Sequence, residues 1–85
     1  MRIFLQQPPL AGENPKFVKL SLEQDLFGGW FLDRESGLMG GRSTRKRDIY
    51  TDASLAIAAF ESARDQQLKR GFRVMFAEGA EAPRP

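Results

Sequence analysis

The feature that most constrains this fold is a single helical stripe in a chain whose remaining apolar segments are short. From residue 53 to residue 68, apolar residues recur at steps of three and four, which predicts an amphipathic helix with one buried side. They are Ala53, Ala56, Ile57, Phe60, Ala63 and Leu68. One helix cannot bury such a stripe by itself, so it must pack on another element. The pattern therefore predicts an α+β fold, with an antiparallel sheet of four to six strands and one long α-helix packed across it.

Residues next to the stripe predict both ends of this helix. Thr51 or Asp52 can cap its N-terminus, because the side-chain oxygen of either residue accepts a hydrogen bond from an unpaired backbone N–H of the first turn. Gly71 suits the left-handed position that commonly follows a helix C-terminus. Lys69 and Arg70 lie favourably at the negative end of the helix dipole.

Strands are predicted on both sides of the helix in the sequence. The clearest covers residues 18–22, where apolar and polar residues alternate at the period of a half-buried strand. Residues 2–5 predict an edge strand, because two prolines that cannot donate ladder hydrogen bonds follow soon after them. Residues 30–35, 45–50 and 72–76 predict three more strands. Alternation places Trp30 with Leu32 on the core side, whereas neither side of residues 45–50 is apolar enough for a central strand.

Glycines separate the predicted strands. Gly28 and Gly29 can provide the positive φ of a tight turn. Gly37, Gly40 and Gly41 surround two apolar residues and predict either a bulged hairpin or a loop. A phosphate-binding P-loop is not indicated, because the Lys-Ser/Thr pair and the helix start of that motif are missing.

Composition limits the chain to one small domain. A chain of 85 residues with 41% apolar residues buries only about 60–65% of its unfolded surface. It has no cysteine and no histidine, which argues against a disulfide framework, a metal site and most enzymatic activities. We therefore expect no cofactor, no metal and no catalysis. Residues 1–76 are assigned to one domain, and residues 77–85, which lack apolar anchors, to a disordered C-terminal tail.

The first residues of the sequence indicate neither export nor membrane insertion. One Arg and a short apolar run precede Pro8 and Pro9, which is neither the apolar region of a signal peptide nor a membrane span. A cytoplasmic location without a membrane partner is expected.

A short basic run is the strongest candidate binding feature. Thirteen Lys and Arg against eleven Asp and Glu leave a net charge of only +2, so a nucleic-acid partner must depend on where the cations lie. Four cations fall within six residues on the glycine-rich hairpin, where they can reach phosphates. Charges on an edge strand also prevent sheet-to-sheet aggregation, and this alternative stays open. The four residues are Arg42, Arg45, Lys46 and Arg47.

A second basic group follows at the end of the predicted helix. Complementation of the helix dipole explains Lys69 and Arg70 without a ligand, and the stem of Arg64 can cover the edge of the core. If both basic groups lie on one surface, a nucleic-acid interface is favoured, and Lys69 and Arg70 are included in it. The group comprises Arg64, Lys69, Arg70 and Arg73.

Aromatic and acidic residues near the basic run have two interpretations. Trp30, Phe31 and Tyr50 could stack on bases, but packing explains all three, and Phe31 is expected to be the most exposed. Asp33 and Glu35 share one side of a strand, within the loose range that the carboxylate pairs of glycoside hydrolases use. Solvated charges are the simpler explanation, and Glu35 is expected to pair with a neighbour of Arg34 or with an Arg of an adjacent strand.

Between residues 26 and 72, several uncommon residues keep a spacing that resembles a known family pattern. WGR domains carry an LFG-x-W strand, an R-E-W-G-R-[IV]-G motif, a short strand that ends in an aromatic residue, and a helix that ends in Gly-aromatic. Ser36 and Leu38 stand where the motif has its Trp and Arg. The matching residues are Leu26, Phe27, Gly28, Trp30, Arg34, Glu35, Gly37, Gly40, Tyr50, Phe60, Gly71 and Phe72.

The resemblance to WGR domains implies a binding function. Such domains occur in poly(ADP-ribose) polymerases, where they help to bind DNA ends and pass the signal to the catalytic part, and in small bacterial stand-alone proteins. It implies a non-catalytic module whose partner is DNA or RNA. The loss of the motif's Trp and Arg favours the alternative, a protein–protein interaction module, because a stacking group and a cation are both missing.

Overall fold

Five strands form one sheet, and one helix lies across it. The computed structural model describes residues 1–9 and 11–79. In chain order the elements are β1 (Arg2–Gln6), β2 (Lys16–Gln24), β3 (Trp30–Leu38), β4 (Ser43–Tyr50), α1 (Ala53–Lys69) and β5 (Arg73–Glu78). All neighbouring strands pair antiparallel in the order β4-β3-β2-β1-β5. The predicted α+β fold is confirmed.

The core lies between α1 and one side of the sheet, which we call the helix side. Phe60 is fully buried at the centre of α1 and packs with alternating residues of β1, β2 and β3. Trp30 and Tyr50, which pair across β3 and β4, are half-buried against this core. The buried residues are Ile3, Leu5, Val18, Leu20, Leu22, Leu32, Ala56, Phe60, Ala63 and Phe72.

Both predicted helix ends are confirmed. The side chain of Asp52 accepts a hydrogen bond from the backbone N–H of Ser54 at 2.7 Å, which satisfies one unpaired donor of the first turn. Gly71 has a φ of 90°, and the backbone N–H of Phe72 then donates to the carbonyl of Gln67 at 3.0 Å. This ending turns the chain back towards the sheet, where Phe72 is buried.

Two predicted features differ from the structure. β1 is not an edge strand, because β5 pairs with it on the side away from β2. The strand predicted at residues 72–76 runs from Arg73 to Glu78, so Ala77 and Glu78 belong to the sheet and not to a tail beyond residue 76. Residues 80–85 of the predicted tail lie outside the described residues.

The helix covers the sheet diagonally. It begins just after Tyr50, at the end of β4, and leads into β5 at the opposite edge and the opposite end of the sheet. Its path therefore leaves uncovered the corner of the helix side where β3 and β4 approach their connecting turn. The opposite side of the sheet, which we call the open side, carries no covering element within the described residues.

Candidate functional site

The alternation of β4 divides the basic run between the two sides of the sheet. Lys46 pairs with Arg34, which pairs in turn with buried Leu20, so Lys46 lies on the helix side. Arg42 precedes β4 by one residue and has the same parity as Lys46. Arg45 and Arg47 have the opposite parity and lie on the open side.

Arg47 is held by a carboxylate and an aromatic ring. Its Nε donates to Asp33 Oδ1 at 2.6 Å, and its Nη2 donates to Asp33 Oδ2 at 3.0 Å. The guanidinium carbon lies 4.2 Å from the centroid of the Phe31 ring, within the range of a cation–π contact. The hydrogen bond to Asp33 raises the pKa of Arg47 above its ordinary value, so the charge is fixed.

Arg45 has a looser carboxylate partner. Its Nη2 lies 3.6 Å from Glu35 Oε1, and the side chain remains 81% exposed. The hydroxyl of Ser43 donates to Glu35 Oε2 at 2.9 Å, which helps to orient the carboxylate. The prediction that Glu35 pairs with an Arg of an adjacent strand is therefore confirmed.

A shallow cavity of about 330 Å³ on the open side contains both pairs. Lys19 and Ser21 of β2 line it together with six residues of β3 and β4, namely Asp33, Arg34, Glu35, Arg45, Lys46 and Arg47. The register places the side chains of Arg34 and Lys46 on the helix side, so the cavity reaches the backbone side of these two residues only through the strands that carry them. Positive and negative groups alternate across its wall. A polyanion that entered this cavity would meet carboxylates as well as cations. To bind Arg45 or Arg47, its phosphates would have to replace the carboxylate that each Arg already contacts.

The helix side of the same hairpin has a different charge pattern. We call its uncovered part the hairpin corner. Within the described residues, neither Arg42 nor Lys46 forms a salt bridge. Arg34 does, with its Nη2 3.3 Å from Asp48 Oδ2, and its buried Nε has no hydrogen-bond partner in the described part of the chain. The corner consists of Ser36, Leu38, Arg42, Thr44 and Lys46.

The end of the helix brings a further cation to this corner. Arg70 lines a cavity of about 250 Å³ together with Ser36, Leu38 and Lys16 of β2. Its guanidinium carbon lies 5.8 Å from the ring centroid of Phe72, which directs the side chain towards the sheet. Since Ser36 pairs with Thr44, this cavity adjoins the hairpin corner. The two basic groups therefore meet on the helix side, through Arg70.

Lys69 does not share this surface. It lies on the opposite side of α1 from buried Phe60, as helical periodicity requires, and it is exposed to solvent. Of the six predicted interface residues, Arg42, Lys46 and Arg70 lie on the helix side, Arg45 and Arg47 lie on the other side of the sheet, and Lys69 faces away from it.

Gly37 of β3 has a structural role. A Cβ atom at Gly37 would lie 2.1 Å from the carbonyl oxygen of Arg42 and 2.7 Å from the Cα of Ser43. No real side chain tolerates such distances, so β3 and β4 approach this closely only because residue 37 is glycine. Ser36 and Leu38, at the motif's Trp and Arg positions, flank it in the cavity wall.

Two further groups of surface residues give little signal in the sequence. Lys16 is separated from the basic run by 25 residues and gave no signal beyond its charge, yet β2–β3 pairing places it opposite Leu38. Leu26 and Phe27 were assigned to the family pattern, but their side chains are 96% and 95% exposed. Their exposure could have been predicted from their position, because they lie immediately before Gly28-Gly29 in a connection between two strands.

Metal binding and membrane crossing have little support in the described residues. They contain no group of three or more Asp, Glu, His or Cys side chains arranged to hold a metal ion. Of the helical segments described, none is both long and apolar enough to span a bilayer.

No protein-family model, no curated protein and no solved structure matches this chain.

Proposed function

We propose that this chain is a non-catalytic module that binds nucleic acid, with DNA as the leading ligand, at its hairpin corner. The cations that would contact phosphates are Arg42 and Lys46 from the hairpin, Arg70 from the helix end and Lys16 from β2. The resemblance to WGR domains supports the same class of ligand.

One observation carries the proposal, namely the difference in pairing between the two sides of the hairpin. The four cations at and beside the corner form no salt bridge within residues 1–9 and 11–79, whereas Arg45 and Arg47 do. An unpaired surface cation can neutralise a phosphate and release a counterion without first losing a carboxylate. The helix side therefore offers stronger attraction per residue.

The side chains between these cations determine the kind of recognition. Ser36 and Leu38 provide no ring for stacking and no bidentate group for a base edge. Phosphate contacts position a nucleic acid without reading its bases. We therefore expect affinity that depends on salt and varies little with sequence.

Fluorescence anisotropy with a labelled duplex that has a free end, and with a single strand of equal length, tests the function. We expect a Kd in the micromolar range at low salt. Replacing Arg42 and Lys46 by Ala together should lower the salt slope by about 1.8 and the affinity roughly tenfold. The matched control is Arg45→Ala with Arg47→Ala, which removes the same charge from the open side and should change binding much less.

Two outcomes would contradict this proposal. Equal losses from both double variants would assign binding to the whole basic run and not to the helix side. An absence of binding even at low salt would sink the nucleic-acid function and leave a protein partner as the remaining choice.

A protein–protein interaction module is the second candidate function. Leu38 is 44% exposed, and it stands where the WGR motif carries a cation. Binding to a protein at this corner would depend on Leu38, or on Phe31 of the open side, more than on salt. Loss of binding in Leu38→Ala at constant salt response would favour this candidate.

A further inference from the structure

The connection between β2 and β3 presents two apolar side chains to solvent on an ordered loop. Leu26 and Phe27 are almost completely exposed. The Asp25 carboxylate accepts hydrogen bonds from the backbone N–H groups of Phe27 at 2.7 Å and of Gly29 at 2.8 Å. The N–H of Asp25 closes the loop on the carbonyl of Gly29 at 2.8 Å. We call this loop the apolar tip; its fixed shape lowers the entropy lost when it docks.

The surroundings of the apolar tip are acidic. Residues 20–30 contain Glu23 and Asp25 but no Lys or Arg, and Asp33, further along β3, is paired with Arg47. Residues 48–63, which meet them through the pairing of Trp30 with Tyr50, contain acidic residues and again no Lys or Arg. An anionic lipid surface would repel such a tip, since membrane-docking segments carry basic flanks. A partner should instead offer an apolar cavity with a basic rim.

The opposite end of the same molecule has a cavity with a basic rim and a partly apolar wall. Val18, Leu38 and Phe72 contribute its apolar wall, and Lys16 and Arg70 lie at its edge. Its volume of about 250 Å³ suits one large side chain, and no carboxylate of residues 1–9 or 11–79 lines it. Neither basic residue forms a salt bridge with the described residues, so their charge remains available to an acidic neighbour.

The tip cannot reach this cavity within one molecule. β2 and β3 each have nine residues, and the tip follows one end of the pair while the cavity lies at the other. Nine residues of strand separate them by about 30 Å. Docking must therefore be intermolecular.

We propose that Phe27, with Leu26 beside it, inserts into the Val18–Leu38–Phe72 cavity of a second copy of this chain, with the acidic tip facing Lys16 and Arg70. Such a contact is heterologous, so each copy retains one free tip and one free cavity, and short head-to-tail chains form. Two side chains bury much less area than a standard interface, so we expect weak association, with a Kd on the order of 100 µM.

Sedimentation velocity over rising concentrations of the full chain tests the proposal. The wild type should shift from monomer towards dimer and longer species. Phe27→Ala, which removes the tip, and Leu38→Glu, which places a carboxylate in the cavity, should each weaken association at least tenfold. Phe76→Ala, a change at a 52% exposed residue on β5, which β1 separates from β2, is the control and should behave like the wild type.

Mixing the two defective variants provides the decisive measurement. A Phe27→Ala copy keeps its cavity, and a Leu38→Glu copy keeps its tip, so an equimolar mixture should restore a heterodimer and nothing longer. A mixture that stays monomeric would overturn head-to-tail docking, as would a wild type that is monomeric at millimolar concentration. A monomeric wild type that bound phosphatidylcholine vesicles through Phe27 would assign the tip to a lipid surface instead. Thermal unfolding checks that both variants fold.

Discussion

The open side and the helix side of the β3–β4 hairpin both carry cations from one basic run, and they differ in what stands beside each cation. On the open side, Asp33 and Glu35 of β3 hold Arg47 and Arg45. On the helix side, the residues opposite Thr44 and Lys46 are Ser36 and Arg34, and Asp48, two residues from Lys46, is paired with Arg34.

This difference shows that a count of charges in a sequence does not give the charge available to a ligand. Four cations within six residues have the same formal charge, but strand alternation exposes them to two sets of neighbours. Arg47 has three contacts that a phosphate would disturb, two with Asp33 and one with Phe31. Arg42 and Lys46 have none of these. Availability is thus a property of the register between β3 and β4.

The largest expected effect comes from weakening the packing of α1 on the sheet. Phe60 is fully buried between α1 and the sheet, so Phe60→Ala should lower the free energy of unfolding by about 3–5 kcal/mol through lost burial and a residual cavity. Leu55→Ala on the same helix is the control and should have little effect. Urea denaturation of both variants checks this. Equal losses would mean that α1 is not anchored where the structure places it.

The second largest effect is expected at Gly37, where β3 and β4 approach each other closely. Gly37→Ala places a methyl group against the backbone of Arg42 and Ser43, and we expect a loss of about 1–3 kcal/mol in stability. Ser36→Ala, at the neighbouring exposed position, is the matched control. Urea denaturation gives the stabilities, and NMR chemical shifts of residues 42–47 show whether the hairpin changes. A fully stable Gly37→Ala protein would contradict the close approach of the strands.

Removing the open-side carboxylates should make the two sides of the hairpin more alike in the cations that they offer to DNA. Asp33→Asn with Glu35→Gln frees Arg47 and Arg45, so DNA affinity at low salt should rise by about twofold to fivefold and the salt slope should steepen. Glu13→Gln with Glu61→Gln removes the same charge elsewhere and controls for net charge. If both double variants raise affinity equally, ion pairing is not what separates the two sides.

The smallest expected effect distinguishes the two open-side ion pairs. A double-mutant cycle on Arg47 and Asp33 should give more coupling than one on Arg45 and Glu35, because the first pair has two hydrogen bonds and the second a single 3.6 Å contact. Urea denaturation of the single and double variants measures both. Coupling in the second pair that equals the first would contradict this geometry.

The pH dependence of the Arg47 coupling follows from the sign of its pKa shift. The folded pKa of Arg47 is raised above its unfolded value by Asp33, so the stabilisation is complete below the unfolded pKa and is lost only as pH rises through the folded one. Between about pH 7 and pH 10 the coupling should therefore be constant.

Much of the fold could be predicted from local patterns. The alternation of Val18, Leu20 and Leu22, the stripe centred on Phe60 and the cap at Asp52 each depend on neighbouring residues, whose geometry is fixed by strand and helix periods. The position of β1 could not be predicted in this way. Pairing with β5, from the other end of the sequence, places β1 inside the sheet, and no local pattern reports that contact.

The candidate site was only partly predictable. The basic run was visible, and alternation already separated Arg45 and Arg47 from Lys46. Which of these cations remains unpaired depends on the residues opposite, and the approach of Arg70 and Lys16 depends on the path of α1 and on β2–β3 pairing.

The sequence by itself determined the elements of this protein, because helix and strand periods, caps and glycine turns act over a few residues. Only the tertiary structure decided which cations lie beside carboxylates. It also placed exposed Phe27 at one end of the β2–β3 pair and a basic-rimmed cavity at the other end. Those features join residues that are distant in the chain, and the physical reason is that charge pairing and cavity shape depend on distances in space, which strand register and the path of the helix set.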